Sequence, residues 1–317
     1  SKLPEVTLDL TGLTPKQATE RALRRHLTYL GLDEVVTYTL VSKSEQQAFA
    51  YLEKGEPYVL ANPMTVEREV VRTHLLHSLL GVASYNANRQ NKSGRFFEVS
   101  DIDSKNSASR HLGVVMYGEK MRRVGAPAKS YDYYDIKGVV MAVLESLGIG
   151  EMRYRIEPWS FGGEEMHPYQ SAALYMGKTL VGYFGTLHPL ALKKYDLRSA
   201  AVAELDLEAL LSTKVSPIKA SVPPKFPLVT RDLALLVPDN VNYESLRREL
   251  LRSDSLIVKV DAFDLYRGAG VEEGYASLAV TLTLQSKDKT LSDAEVNLAV
   301  KKALDAVAIR LGVRMRQ

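Results

Sequence analysis

Tyr275-Ala276-Ser277-Leu278-Ala279-Val280-Thr281-Leu282-Thr283-Leu284-Gln285 is the stretch whose reading decides the fold of the C-terminal third. Leu278, Val280, Leu282 and Leu284 alternate with Ala279, Thr281, Thr283 and Gln285. Successive side chains of a strand point to opposite faces, so this segment is a strand with one buried and one polar face. Downstream, Ser292 and Glu295 form a capping box. The helix it opens carries Val296, Val300, Ala303, Leu304, Val307 and Leu311 at helical spacing and stops at Gly312. A short strand over 313–316 follows. Upstream come a strand over 232–237, a helix over 243–251, a strand over 257–266 and a turn at Gly268-Ala269-Gly270.

The resulting order β-α-β-β-α-β is the ferredoxin-like split βαβ arrangement, a sheet with helices on one face. Before it, Pro217, Pro223, Pro224 and Pro227 cluster within 212–227, a density suited to an extended connector. The expected organisation is therefore a first domain over 1–211, a connector over 212–227 and a second domain over 228–317.

The first domain begins with Thr14-Pro15-Lys16-Gln17, a cap, a proline in the first turn and a glutamine that closes the box. Leu23, Leu27 and Leu30 follow at helical spacing and Gly31 ends the helix. A strand is expected over 34–40 and a second helix over 74–89, with Leu76, Leu79, Leu80, Ala83 and Ala87 on one stripe. Strands are expected over 95–100 and 111–117, separated by a polar loop over 104–110. The basic segment 119–130 reads as a mobile loop. The clearest helix starts near Asp132 or Asp135 and carries Ile136, Val139, Val140, Val143, Leu144 and Leu147 up to Gly148. Short strands over 152–156, 172–176, 180–185 and 200–205 complete an antiparallel α+β sheet, with Gly177-Lys178 as a tight hairpin.

Composition bounds the function. Of 317 residues, 45% are hydrophobic and 25% charged, an ordinary globular balance with room for two cores. No apolar run approaches the ~18 residues of a membrane helix, so no membrane partner is expected. Ser1-Lys2-Leu3-Pro4 lacks an apolar signal core and Met, which suggests a fragment or trimmed chain. The absence of cysteine excludes thiolate zinc sites and thiol nucleophiles and fits a reducing cytoplasm. With 41 basic and 38 acidic residues the net charge is only +3, so any nucleic-acid contact has to rest on a local patch.

Six pieces in register carry a resemblance: Lys225-Phe226-Pro227, Arg231-Asp232-Leu233, Phe263-Asp264-Leu265-Tyr266-Arg267-Gly268, Ser277-Leu278, Asp288-Lys289-Thr290-Leu291-Ser292-Asp293 and Glu295-Val296-Asn297. Together they resemble the ferredoxin-fold anticodon-binding domain of bacterial phenylalanyl-tRNA synthetase beta chains. Upstream, Glu34-Val35-Val36-Thr37-Tyr38, Asn62-Pro63, Arg72-Thr73-His74-Leu75-Leu76 and Asn86-Ala87-Asn88-Arg89 are similar to the catalytic-like domain of that chain. So are Phe97-Glu98-Val99, Tyr134-Asp135-Ile136-Lys137-Gly138, His167-Pro168 and Leu187-His188-Pro189. The resemblance runs from about Pro4 to the end and implies a class II synthetase-like antiparallel sheet domain followed by the ferredoxin-like one. Beta chains of the family are longer, with an editing domain and magnesium-associated carboxylates upstream. Neither is expected of this chain.

The resemblance implies a non-catalytic subunit. Class II synthetases stabilise the phosphorus transition state with arginines and magnesium. Their fingerprint pairs an Arg-x-Glu strand with a Gly-rich strand feeding an arginine-bearing helix. Here Arg95-Phe96-Phe97-Glu98 has the wrong spacing, and Phe184-Gly185-Thr186-Leu187-His188-Pro189 is followed by no arginine before Arg198. No cofactor is expected on this chain, while the whole enzyme uses ATP and magnesium. Implied partners are the catalytic alpha chain, in a heterotetramer of two alpha and two beta chains, and the phenylalanine tRNA. The helix at 14–30 and the strand after it are interface elements under this reading and ordinary core under the alternative.

Candidate tRNA contacts are Lys225, Arg231, Lys259, Arg267, Lys287 and Lys289, cations at strand ends and turns. Taken singly, each reads first as a solvated surface charge, and Asp264 with Arg267, or Arg231 with Asp232, can equally be structural ion pairs. The domain lacks the paired aromatics of an RNA-recognition sheet, so charge, hydrogen bonds and shape are expected to dominate. His74 and His77 have metal-ligand spacing on a helix but no matching carboxylate, which favours packing over a metal. Gly162-Gly163-Glu164-Glu165 reads as a turn, and Trp159 as partly buried at a domain surface. Two alternatives remain: a domain that itself binds ATP or an amino acid, and a free-standing regulatory RNA-binding paralogue.

Overall fold

The computed structural model describes residues 12–52, 54–121, 124–215 and 224–316. They form two compact units divided between Ile218 and Lys219. Half of the expected connector, residues 216–223 with Pro217 and Pro223, lies outside the described residues.

The first unit opens with α1 (Pro15–Tyr29), whose Thr14–Gln17 capping box forms as the sequence implies and which buries Leu23 and Leu27. The strand expected over 34–40 is instead two fragments, β1 (Asp33–Glu34) and β2 (Leu40–Val41). β1 runs parallel to β4 (Ser93–Ser104), and Val35 still donates to the Phe97 carbonyl at 2.9 Å. The ladder ends at Thr37 because the Glu98 side chain accepts its amide in place of a main-chain carbonyl.

After α2 (Lys43–Gln46) and β3 (Val70–Val71), which pairs with β2, comes α3 (Leu76–Ala87). β4 and β5 (Ser107–Gly118) form one long hairpin with Ser104 opposite Ser107. The polar loop expected over 104–110 is thus a two-residue turn followed by strand. Its polar side chains have partners within the unit: Arg110 pairs with Glu20 and Asp101, and Ser109 with Asp206. The segment 119–130 is closed by a bridge between Glu119 and Ser130.

Next are α4 (Tyr133–Ser146), β6 (Tyr154–Pro158), β7 (Met166–Met176), β8 (Thr179–Leu187), α5 (Pro189–Lys194), β9 (Ala200–Asp206) and α6 (Leu207–Leu211). The sheet order is β1-β4-β5-β9-β8-β7-β6, antiparallel except at β1. One face packs on α1, α4 and α6 through Leu23, Leu27, Ile136, Val140 and Leu207. The other packs on α3 and the 48–52 turn through Phe49, Leu75, Leu76, Leu79 and Leu80. Covered on both sides, β9 and residues 111–117 of β5 have no face open to solvent, which is why they do not alternate in sequence.

α3 approaches β5 closely only because residue 113 is glycine. A Cβ there would lie 2.6 Å from Leu79 Cδ1 and 2.8 Å from Leu75 Cβ.

In the second unit, β10 (Val229–Pro238), α7 (Tyr243–Ser253), β11 (Ile257–Tyr266), β12 (Tyr275–Leu284), α8 (Asp293–Leu311) and β13 (Arg314–Met315) follow in the expected order. The sheet order β11-β12-β10-β13 is that of a ferredoxin-like fold. Leu235, Val280, Leu282 and Leu284 pack on Leu246, Leu250, Ala303 and Val307. The opposite sheet face carries half-buried Ala279, Thr281 and Thr283 on β12, with Ser277 buried at its end.

His74 and His77 do not share a helix, because α3 begins at Leu76 with Leu75 as its cap. His74 packs against Phe49 and places Nε2 3.2 Å from the Glu45 carbonyl, while its buried Nδ1 has no partner. His77 lies between the Glu45 carboxylate at 2.8 Å and the Tyr195 hydroxyl at 2.6 Å. Burial pushes both imidazoles below their ordinary pKa, although Glu45 opposes this at His77.

Two consequences are measurable. Gly113→Ala should overpack the α3 contact and lower first-unit stability by about 1–3 kcal/mol in urea denaturation. The unfolded chain protonates both histidines below about pH 6.5, where the fold still keeps them neutral. First-unit stability is therefore retained above that pH and lost as pH falls through it, with a slope of up to about 1.4 kcal/mol per pH unit per histidine. His74→Phe should flatten this dependence in urea titrations between about pH 7.5 and 5.5.

Candidate functional site

The interior of the first unit is organised by buried charge. Glu204, on central β9, is fully buried. Its carboxylate accepts the Leu75 amide at 3.1 Å, lies 2.9 Å from His111 Nδ1 and 3.0 Å from the Tyr183 hydroxyl. That hydroxyl also sits 2.9 Å from the Phe49 carbonyl, so its one proton serves either acceptor. Burial first, and then the Glu204 charge, drive the Tyr183 phenol well above its ordinary range. Asp206, two residues on, is also buried, which pushes its carboxyl up. Lys54, the Ala209 amide and Ser109 outweigh that and hold it below the usual value.

A second buried pair joins Arg72 to Glu98, with Nη2 2.7 Å from Oε1. The Thr37 hydroxyl donates to Glu98 Oε2 at 2.6 Å, and Arg72 also reaches the Thr37 oxygen. Glu98 therefore ties the segment after β1 to β4. Removing one partner of a buried pair leaves an uncompensated charge, so the pair enforces this register.

The position two residues before Glu98 is Phe96, which packs near Tyr117 with ring centroids 6.1 Å apart. Arg95 points to the other face, near Gly31 and Tyr131. On the Phe96 side, Tyr51, Trp159, Phe161 and Tyr183 form an aromatic cluster with neighbouring centroids 4.7–6.0 Å apart. Trp159 is buried within it and donates to the Gly162 carbonyl at 3.1 Å, so it is a core residue and not the domain-surface residue expected. Gly162 and Gly163 both have positive φ, as a turn requires. The polar end of this face, lined by Lys54, Thr73, Ser109 and His111 among others, holds a cavity of about 10 Å³. That is room for one water. His188 caps α5 through its ring nitrogen, and Pro189 occupies the first helical turn. Among the described residues no group of three or more His, Asp or Glu could hold a metal ion.

In the second unit the six expected RNA-contacting cations separate. Lys225, Arg231, Lys259, Lys287 and Lys289 gather toward the end of the sheet where β10 begins and β12 finishes. Arg267 follows the far end of β11, roughly 26 Å from Lys259 at ~3.3 Å per strand residue. Four of the six are paired: Arg231 with Asp293, Lys259 with Asp261, Arg267 with Asp239 and Lys289 with Glu295. The pairings Arg267–Asp264 and Arg231–Asp232 do not form, and Asp232 instead accepts from the Thr281 hydroxyl at 2.6 Å. Lys289 and the capping contacts of Ser292 hold the Glu295 carboxyl down at about 2.

Sequence reasoning missed a second set of residues on the sheet face opposite α7 and α8, beside Arg267. The Arg316 guanidinium lies 5.6 Å from the Tyr266 ring centroid and donates to the Ser277 hydroxyl at 3.1 Å. Arg314 lies 4.9 Å from the Tyr275 ring and 3.1 Å from Glu272. Each ring has a cation for company where the sequence suggested no aromatic platform. The signal was distributed over three strands.

The family model described as "Phenylalanyl tRNA synthetase beta chain CLM domain" matches residues 1–207, and "Ferredoxin-fold anticodon binding domain" matches 224–316. The chain is 33% identical over 315 residues to the phenylalanine–tRNA ligase beta subunit of Bacillus subtilis (strain 168), covering 97% of this chain and 39% of the relative. The corresponding subunit of Bacillus licheniformis is 36% identical over 320 residues, with 97% and 39% covered. The chain thus spans about two fifths of the length of the curated relatives it matches. A pyrrolysyl-tRNA synthetase of Desulfitobacterium hafniense overlaps 61% of this chain and 66% of its own at TM-score 0.46 and 17% identity, too distant a likeness to carry an argument. By the match over its first 207 residues, the chain belongs to the phenylalanyl-tRNA synthetase beta chain family.

Proposed function

We propose that the chain acts within phenylalanine–tRNA ligase as a non-catalytic module, docking a catalytic alpha subunit with its first unit and binding the phenylalanine tRNA with its second. The setting would be a cytoplasmic heterotetramer of two alpha and two beta chains, with ATP and magnesium used by the whole enzyme.

The observation that carries the non-catalytic reading is the filled synthetase-like face. Nucleotide activation needs cations aimed at a phosphate in an accommodating cavity. Here Phe96 stands two residues before Glu98, Arg72 is consumed by Glu98, and aromatic rings pack beside Tyr183. Supporting a docking role, the chain after β1 leaves Val36 and Tyr38 exposed, and Tyr29 at the end of α1 is 84% exposed. Exposed apolar groups in that number suit a protein partner.

For tRNA, the sheet face opposite α7 and α8 offers Tyr266, Arg316 and Arg314 at one end and the five gathered cations at the other. Aromatic rings beside arginines suit unstacked anticodon bases, and exposed cations suit phosphates. Their surface ion pairs are weak enough to exchange for phosphate contacts.

Tyr266→Ala should lower affinity for the tRNA about tenfold, the cost of roughly one stacked base, with little change in salt slope. Reversing charge at Arg231, Arg267 and Lys289 together should weaken binding and flatten its dependence on salt. Filter binding of the whole chain across a salt series reads both, and unchanged affinity in folded variants rules the face out. Calorimetric titration with ATP and phenylalanine should show no saturable binding. Saturable binding of both would install the alternative of a domain with its own substrates. Recovery of an alpha chain in a pull-down, with and without tRNA, separates the subunit from a free-standing RNA-binding protein.

A further inference from the structure

We infer that one end of the first unit's sheet is a second RNA contact, a patch that holds phosphates of the tRNA outside its anticodon arm. This rests on the tRNA reading above and extends it to a unit with no RNA role so far. Strand pairing defines the place. β4 and β9 begin, and β5 and β8 finish, at the same end of the sheet. Arg89 and Lys92 lie between α3 and β4, Lys129 lies beyond β5, and Arg198 lies just before β9. The α5 connection adds Lys193 and Lys194. All six are exposed, and none pairs with a carboxylate among the described residues. The exposed acids across these four strands are Glu119 and Asp196, while Asp132 and Asp135 are taken by Lys120.

Spacing and geometry suit a phosphate backbone. β4 and β9 flank β5, so Lys92 and Arg198 stand about two strand spacings apart, roughly 10 Å. That is about one Debye length at 0.1 M salt, so their potentials add over a common ligand. Arg89 is already oriented. Its guanidinium carbon stacks 3.4 Å from the ring centroid of exposed Tyr85, and Nη1 donates to the Tyr85 carbonyl at 3.3 Å. A guanidinium held this way loses little freedom when it takes a phosphate. Exposed Asn88 and Gln90, on either side of Arg89, add neutral hydrogen-bonding groups. A patch of this size is weak alone. On a chain that holds the same RNA through its second unit it acts at high effective concentration.

Filter binding of the whole chain across a salt series tests this with two probes, the full-length phenylalanine tRNA and an RNA of its anticodon stem and loop alone. The variant Lys92→Glu/Arg198→Glu is compared with Lys105→Glu/Lys178→Glu, which makes the same charge change in the turns at the opposite end of the sheet. Circular dichroism checks that each variant is folded. Expected for Lys92→Glu/Arg198→Glu is at least tenfold weaker binding of the full tRNA, with the salt slope reduced by about 1.4–1.8, two phosphate contacts. Its binding of the stem and loop, and both affinities of the control, should stay at wild-type values. Unchanged affinity for the full tRNA, equal loss on the stem and loop, or equal loss in the control overturns the patch while the second-unit contact stands. Unchanged RNA binding with lost capture of the alpha subunit also overturns it, and makes this end a protein-docking face. If the wild type binds neither RNA, the tRNA reading falls and the patch with it.

Discussion

A carboxylate with no access to water organises the first unit. Glu204 sits on the central strand of a sheet covered on both faces, and it can remain there only while its oxygens are fully occupied. The start of α3 supplies an amide, β5 supplies His111 and β8 supplies a tyrosine hydroxyl. One side chain thus joins three elements to β9. The Arg72–Glu98 pair extends the same logic to the sheet edge, where it settles the path of the chain between β1 and β2.

This polar interior lies on the same face of the sheet as an aromatic cluster that includes Tyr183. A close-packed interior leaves few voids, and the space beside these buried charges is taken up by large side chains. Trp159, Tyr51 and Phe161 fill it here, and the glycines at 162 and 163 let the chain turn tightly over them.

Much of the fold was legible in local signals. The capping boxes at Thr14, Asp132 and Ser292, and the glycines after α4 and α8, mark helix ends through contacts within a few residues. The ferredoxin-like order was readable because its sheet is covered on one face only, so β12 alternates. Where the partner of a residue lay far along the chain, sequence reading erred. The start of β5, within the loop expected over 104–110, looked irregular since its polar side chains find acids on α1 and β9. The break after β1 was invisible because Glu98, sixty-one residues beyond Thr37, causes it. The division of the second unit's cations between two ends of the sheet, and the arginine beside each of Tyr266 and Tyr275, follow from strand register.

By itself the sequence determined the two-part architecture, the helices and their ends, and the kinship with synthetase beta chains. Those properties reside in periodicity, caps and short motifs, which act over one or two turns of chain. Only the tertiary structure decided which charges are buried, which face is filled and which cations gather at one end of the first unit's sheet. Burial and pairing depend on what folding brings alongside a residue from dozens of positions away.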